Sequence, residues 1–166
     1  RGQALANRFD AAARNPERAQ QDCLQALLTR HRATAFGHAH DFDQIKTPTD
    51  YQRAVPRRDY EALRPYVQRM MQGEANVLVS DPVTMFTLTS GTTGQPKYLP
   101  VTAVSEARNS ALMRQWLSRL LTHHPRCLSR SLVGIVSAAV EGHTPGGMPY
   151  GSLSGRIYQQ MPGLVR

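Results

Sequence analysis

Residues 87–100, TLTSGTTGQPKYLP, decide how this chain is read. Ser90, Gly91, Thr92, Thr93 and Gly94 run on without a large side chain, and Lys97 follows Pro96. Two glycines open backbone angles closed to other residues and clear side chains from a ligand's path. Successive amides can then point into one concavity, which suits an anion. The hydroxyls of Ser90, Thr92 and Thr93 add donors, and the Lys97 ammonium adds a mobile positive charge suited to phosphate oxygens. This is not a Walker A loop, which needs Gly-Lys-Ser/Thr opening a helix. Pro96 before Lys97, and Tyr98-Leu99-Pro100 after it, favour extended chain, so the loop joins strand to strand. Hydroxyls and loop amides must supply what a helix dipole would have given. A long hairpin turn uses the same residue types, and composition leaves that reading open. Three hydroxyls, two glycines and a lysine in fixed order are nevertheless more than a turn requires, since two residues close a hairpin.

Around this stretch the pattern is strand-like. Val77–Val79 is a short strand candidate closed by Asp81-Pro82, Val83–Leu88 is a second, and Tyr98–Val101 is extended. Thr102 then caps a long helix over Ala103–Thr122, with Val104, Ala107, Ala111, Trp116, Leu117, Leu120 and Leu121 toward the core. Leu132–Val136 is the β-branched, apolar run of a buried strand. From Glu141 on, the tail is rich in Gly, Pro, Ser and Tyr.

Upstream, helices dominate. Leu5, Phe9, Ala12 and Ala13 recur at helical spacing. Asn15-Pro16-Glu17 reads as cap, first-turn proline and first-turn acid, and opens a helix that buries Cys23, Leu24, Leu27 and Leu28 and ends near Thr34. The segment GHAHDFDQIK (37–46) reads as a loop, and Thr47-Pro48 repeats the start signal. Val55-Pro56 breaks that helix, because the residue before proline avoids helical angles. Asp59 caps the next, whose buried face is Tyr60, Leu63, Val67, Met70 and Met71. Pro65 marks a kink or a second start, and Gly73 is the stop.

The chain has 166 residues, of which 40% are apolar, enough for a packed core and too many for enforced disorder. Net charge is +8, but the arginines form no run longer than Arg57-Arg58 and no aromatics are interleaved with them. That spread suits a solvated or partner-facing surface better than a nucleic-acid groove. No stretch is long and apolar enough to span a bilayer, and the N-terminus lacks the apolar run of a secretory signal. Cys23 and Cys127 have no metal-binding spacing and are expected as reduced, partly buried thiols of a cytoplasmic protein. His123 and His124 are adjacent and cannot share a helix face, and His38 and His40 fall in a loop facing solvent, so no metal site is expected. The chain opens at Arg1 without Met and closes at Arg166, and the expectation is a piece of a longer protein.

Residues Thr89-Ser90-Gly91-Thr92-Thr93-Gly94-Gln95-Pro96-Lys97 match the phosphate-loop signature of the adenylate-forming superfamily. Three segments, VPRRDYEALRPYVQRMMQGE (55–74), FTLTSGTTGQPKYLPVT (86–102) and TPGGMPYGSLSG (144–155), resemble the Gretchen Hagen family of auxin-responsive acyl-acid amido synthetases. The likeness is nearer to the bacterial branch, because the plant loop is usually longer between its Ser-Gly and its Lys. It runs over nearly the whole chain and covers roughly the first third of a family member.

The resemblance implies an α/β fold: a helical N-terminal half leading into the first strands and phosphate loop of a truncated adenylate-forming large domain. Residues 1–75 would be mostly helical, and 76–166 would hold strands, phosphate loop, long helix and a further strand. It implies ATP and Mg²⁺, a small carboxylic acid activated as its acyl-adenylate, and an amine, usually an amino acid, as acceptor. Ser90, Gly91, Thr92, Thr93 and Gly94 would hold the β- and γ-phosphates, with Lys97 assisting by charge. Gly146–Tyr150 would border the acyl pocket or form a surface loop. Arg114 or Arg119 would approach the acid's carboxylate, or else be solvated. Adenine and ribose sites lie further on in family members, so this stretch alone is expected to be inactive. Neither nucleic acid nor membrane is an expected partner, and self-association through bare sheet edges is expected. Two other classes stay open: a basic polyanion-binding module, and a non-catalytic helical interaction domain.

Overall fold

The computed structural model describes residues 2–89, 96–127, 129 and 133–160. Its elements are α1 (Gly2–Ala13), α2 (Pro16–His31), α3 (Ala35–Ala39), a single 3-10 turn (Phe42–Gln44), α4 (Pro48–Ala54), α5 (Tyr60–Met71), β1 (Val83–Thr89), β2 (Lys97–Thr102), α6 (Ala103–His123), β3 (Gly142–His143), β4 (Pro149–Gly151) and α7 (Leu153–Gln160). Helices come first and a small mixed sheet follows, so the chain is α/β as the sequence predicts.

Local chemistry sets the helix starts. The Asn15 side chain accepts from the Arg18 N–H at 3.3 Å and opens α2. Thr47 and Asp50 cap α4 reciprocally, at 3.1 and 2.9 Å. Asp59 accepts from the Ala62 N–H at 3.0 Å to open α5, which runs through Pro65 without a second start. Gly73, at φ 96°, ends the turn after α5 in a conformation that favours glycine.

α2 stops at His31 rather than near Thr34. Fully buried Thr34 instead caps α3, accepting from the Gly37 N–H at 2.9 Å while donating to the His31 carbonyl at 2.8 Å. The segment read as a loop over 37–46 thus holds the end of α3 and the 3-10 turn. Val77–Val79 is not a strand. The Asn76 and Val77 carbonyls accept from the Ala35 and Phe36 amides at 2.8 and 3.0 Å, so they serve the open N-terminus of α3 instead of a sheet neighbour.

The sheet runs β2-β1-β4-β3. β1 pairs antiparallel with β2, from Thr89 opposite Lys97 to Val83 opposite Thr102, with a bulge between Val83 and Met85. It pairs parallel with β4 through Phe86–Tyr150 and Thr87–Gly151. Val67, Met70, Val77 and Phe86 form the core between α5 and the sheet.

The strand predicted over Leu132–Val136 is not found in its described part. Residues 133–136 are irregular, with Val133 94% and Ile135 100% exposed. An apolar run becomes a strand only beside a partner, and none of the described strands lies beside it. Helix α6 was expected to bury a broad stripe, but Ala107 and Trp116 are exposed and no α6 residue is fully buried. Val104, Ala111, Leu117, Leu120 and Leu121 are half-buried, consistent with packing against α1.

Thr102 joins β2 to α6, and its hydroxyl accepts from the Ser105 N–H at 3.2 Å while Ser105 Oγ accepts from the Thr102 N–H at 2.9 Å. Thr102→Ala should lower stability by about 1 kcal/mol, read as an earlier urea midpoint, with Thr102→Ser retaining most of the wild-type value.

A second tie joins α2 to the chain before β1. Arg30 donates twice to Asp81, at 2.6 and 2.6 Å, and this pairing holds the Asp81 carboxyl below the usual carboxylate range. Burial lowers the His31 pKa, and its Nδ1 accepts from the Ser80 N–H at 3.1 Å. Asp81 is depressed, so its contribution is complete above the unfolded value near 3.9 and disappears as pH falls through the folded value. His31 acts in the same direction, since resistance to protonation penalises the fold as pH drops below about 6.5. The destabilisation caused by Asp81→Asn, measured in urea, should be greatest near neutral pH and shrink below about pH 3.

Candidate functional site

β1 and β2 deliver the loop that the sequence singles out. Thr89 closes β1 opposite Lys97, which opens β2, so residues 90–96 connect two paired strand ends. Ser90, Gly91, Thr92, Thr93 and Gly94 lie outside the described residues. Lys97 is described and half-buried. Its Nζ stands 5.8 Å from the centroid of the Tyr60 ring, at the start of α5.

Tyr60 does more than fill the core. Its hydroxyl donates to the Tyr98 carbonyl at 3.1 Å and accepts from the Tyr98 N–H at 2.8 Å. The Arg64 guanidinium lies 5.0 Å from the same ring and donates twice to Glu61, at 2.7 and 2.8 Å. Pairing with Arg64 lowers the Glu61 pKa, and the Lys97 charge adds to the effect. Among the described residues, no carboxylate lies within ion-pair distance of Lys97. On the other side of Tyr98 the Tyr150 ring meets it edge-on at 5.3 Å, and burial raises the Tyr98 hydroxyl pKa.

Sequence reading placed Tyr60 on a buried helix face and missed its hydroxyl. The available signal was a tyrosine where leucine or phenylalanine would have packed as well, since a buried tyrosine hydroxyl usually finds a partner.

Gly146 and Gly147 are exposed, while Met148, Pro149 and Tyr150 are half-buried. The Gly146 N–H donates to the Met71 carbonyl at 2.9 Å, and a Cβ there would lie 2.8 Å from the Gly73 nitrogen, so only glycine fits. Met148 and Tyr150 pack on the core cluster, which brings this segment to Tyr98 and thus to the neighbourhood of Lys97. The arginines on α6 are not brought there by any described contact: Arg119 pairs with Asp10 on α1, and Arg114 is exposed.

His40 is buried, against the expectation of solvent. Its Nδ1 donates to the Ala54 carbonyl at 2.8 Å, Arg58 approaches Nε2 at 3.3 Å, and the ring lies 4.4 Å from Phe36. His38, His123 and His124 are exposed. Cys23 is exposed rather than partly buried, while Cys127 is half-buried. No cluster of His, Cys, Asp or Glu able to hold a metal occurs among the described residues, and no described helix is long and apolar enough to cross a membrane. An apolar cleft of about 540 Å³ opens among α2–α5, lined by Leu24, Leu28, Phe36, Phe42, Val55 and Leu63 among others.

Residues 5–165 match the GH3 family N-terminal domain, and the chain belongs to that family. Indole-3-acetic acid-amido synthetase GH3.2 of Arabidopsis thaliana is 28% identical over 138 residues, covering 82% of this chain and 25% of its own length. Indole-3-acetic acid-amido synthetase GH3.17 of the same plant is 34% identical over 92 residues, 54% of this chain and 15% of its own. Jasmonoyl–L-amino acid synthetase GH3.5 of Oryza sativa subsp. japonica is 28% identical over 96 residues, 57% of this chain and 16% of its own. The chain therefore spans a quarter or less of the length of these relatives. The fold is shared with the solved AtGH3.15 acyl acid amido synthetase in complex with 2,4-DB, at TM-score 0.84 and 20% identity over 96% of this chain and 28% of that one.

Proposed function

We propose that this chain is the part of an ATP-dependent acyl acid amido synthetase that grips the pyrophosphate end of ATP. The observation that supports it most directly is Lys97, which opens β2 opposite Thr89 with its ammonium over an aromatic ring and, among the described residues, no carboxylate bound to it. Family membership and the activities in the relatives' names point the same way.

In this reading Ser90, Gly91, Thr92, Thr93 and Gly94 offer amides and hydroxyls to the β- and γ-phosphates, and Lys97 adds charge. A carboxylate attacks the α-phosphorus, the acyl-adenylate forms and pyrophosphate leaves. Fixed donors offset the charge that develops on the leaving group, and holding two anions side by side is the costly part of the reaction. Mg²⁺ would ride on the triphosphate and neutralise part of its charge, as it does where it is held largely through substrate phosphates. The substrates are a small carboxylic acid and an amino acid, with Gly146–Tyr150 beside the acyl group. In this reading the short spacing from Ser90-Gly91 to Lys97 suits a bacterial member better than a plant one. Its work on ATP and its unpaired thiols suit the cytoplasm, and self-association would use the outer edge of β3.

The experiment is exchange of labelled pyrophosphate into ATP by the intact protein, with aromatic and aliphatic acids added in turn. Exchange that appears only with an acid, followed by amide formation when amino acids are supplied, is the expected result. Absence of acid-dependent exchange across the whole acid set would overturn the proposal.

A further inference from the structure

We infer that Tyr60 is a positioning residue for Lys97, its hydroxyl clamping the Tyr98 backbone so that the lysine is held at the start of β2. The inference rests on the phosphate-binding reading of that loop.

β2 is an edge strand, and an edge strand presents unpaired N–H and C=O groups. At Tyr98 both groups turn to one atom: the Tyr60 oxygen accepts from the N–H at 2.8 Å and donates to the carbonyl at 3.1 Å. A single hydroxyl thereby stands in for a neighbouring strand at the residue next to Lys97. Phenylalanine would supply the ring but neither bond.

The clamp is itself braced. Asp59 caps the helix at the residue before Tyr60. Arg64, fastened by two hydrogen bonds to Glu61, lies over the Tyr60 ring at 5.0 Å. Lys97 Nζ approaches that ring to 5.8 Å, and Glu61 is near enough for the two charges to interact. A lysine has a long, freely rotating stem, so its ammonium is placed only as well as its backbone is fixed and its wrong rotamers are blocked. Here the Tyr98 clamp fixes the adjoining backbone, and the ring gives the ammonium a resting place by cation–π attraction. With Thr89 paired to Lys97, both ends of the glycine-rich loop are anchored.

The test is a double-mutant cycle of Tyr60→Phe and Lys97→Ala in the intact protein, read by acid-dependent ATP–pyrophosphate exchange. Tyr60→Phe should lower kcat/KM for ATP about tenfold while leaving KM for the acid within about twofold, because only positioning at the phosphates is lost. Lys97→Ala should cost about a hundredfold. The double variant should be no worse than Lys97→Ala within about threefold, since residues acting through one another are non-additive. Full additivity, or no effect of Tyr60→Phe beside a large effect of Lys97→Ala, would overturn the role of Tyr60 while the phosphate-binding reading stood. No effect of Lys97→Ala would overturn both. If Tyr60→Phe does not fold, the unmutated protein still decides: Lys97 Hε resonances should be shifted by the Tyr60 ring and should move when pyrophosphate is added. Resonances that stay in place would overturn the inference.

Discussion

Replacing Thr92 and Lys97 together by alanine should depress acid-dependent ATP–pyrophosphate exchange in the intact protein by about a thousandfold. Removing one preorganised donor from a developing oxyanion costs about 10²–10³ in rate, and these two differ in kind. On the proposed reading Thr92 would supply a hydroxyl and Lys97 a full charge on a half-buried stem. Pyrophosphate gains charge as it leaves, so the loss should fall on kcat as well as on kcat/KM, which marks an interaction made in the transition state. Lys97→Arg should recover only part of the rate, because a planar guanidinium is not a compact ammonium and would meet the Tyr60 ring differently. The far-ultraviolet circular dichroism should be unchanged, since no described ion pair of the fold depends on Lys97. Exchange within about threefold of wild type would remove the phosphate-binding role from this loop.

That loop stands out in the sequence because its chemistry is contiguous: glycines, hydroxyls and an ammonium lie within nine residues of one another from Thr89 to Lys97. Helix starts are legible for the same reason, since Asn15, Thr47, Asp59 and Thr102 each bond an amide within three residues. Features that depend on a distant partner are not. Val77–Val79 carries strand residues, but its neighbour is the amide end of α3, some forty positions earlier. His40 looks solvated until Ala54 and Arg58 close on it. β4 reads as a loop from its proline and glycine and becomes a strand only because Phe86 and Thr87 lie alongside. Tyr60 belongs to this second kind: α5 is legible, yet the two bonds of its hydroxyl require β2 to arrive from thirty-eight residues away.

Phe86→Ala should cost the 166-residue chain about 3–5 kcal/mol, the loss of transfer energy plus the cavity left behind. Against a typical domain stability of about 5–15 kcal/mol, that is enough to leave much of the chain unfolded at modest urea. Phe86 is 0% exposed and sits on the strand that bonds to both β2 and β4. It belongs to one cluster with Val67 and Met70 of α5 and with Val77, and Tyr98 and Tyr150 pack against the same cluster. Emptying that position would loosen the seat of Tyr98 and, through it, Lys97, so the same substitution in the intact protein should lower exchange activity as well. Ile135 is the informative control. It lies in a run that reads from sequence as buried strand just as Phe86 does, yet it is 100% exposed. Ile135→Ala should therefore change stability by no more than about 0.5 kcal/mol. The two urea midpoints, taken with equal slopes, measure the difference between an apolar residue that has a partner and one that has none. Equal costs for the two substitutions would mean that the core does not lie between α5 and the sheet.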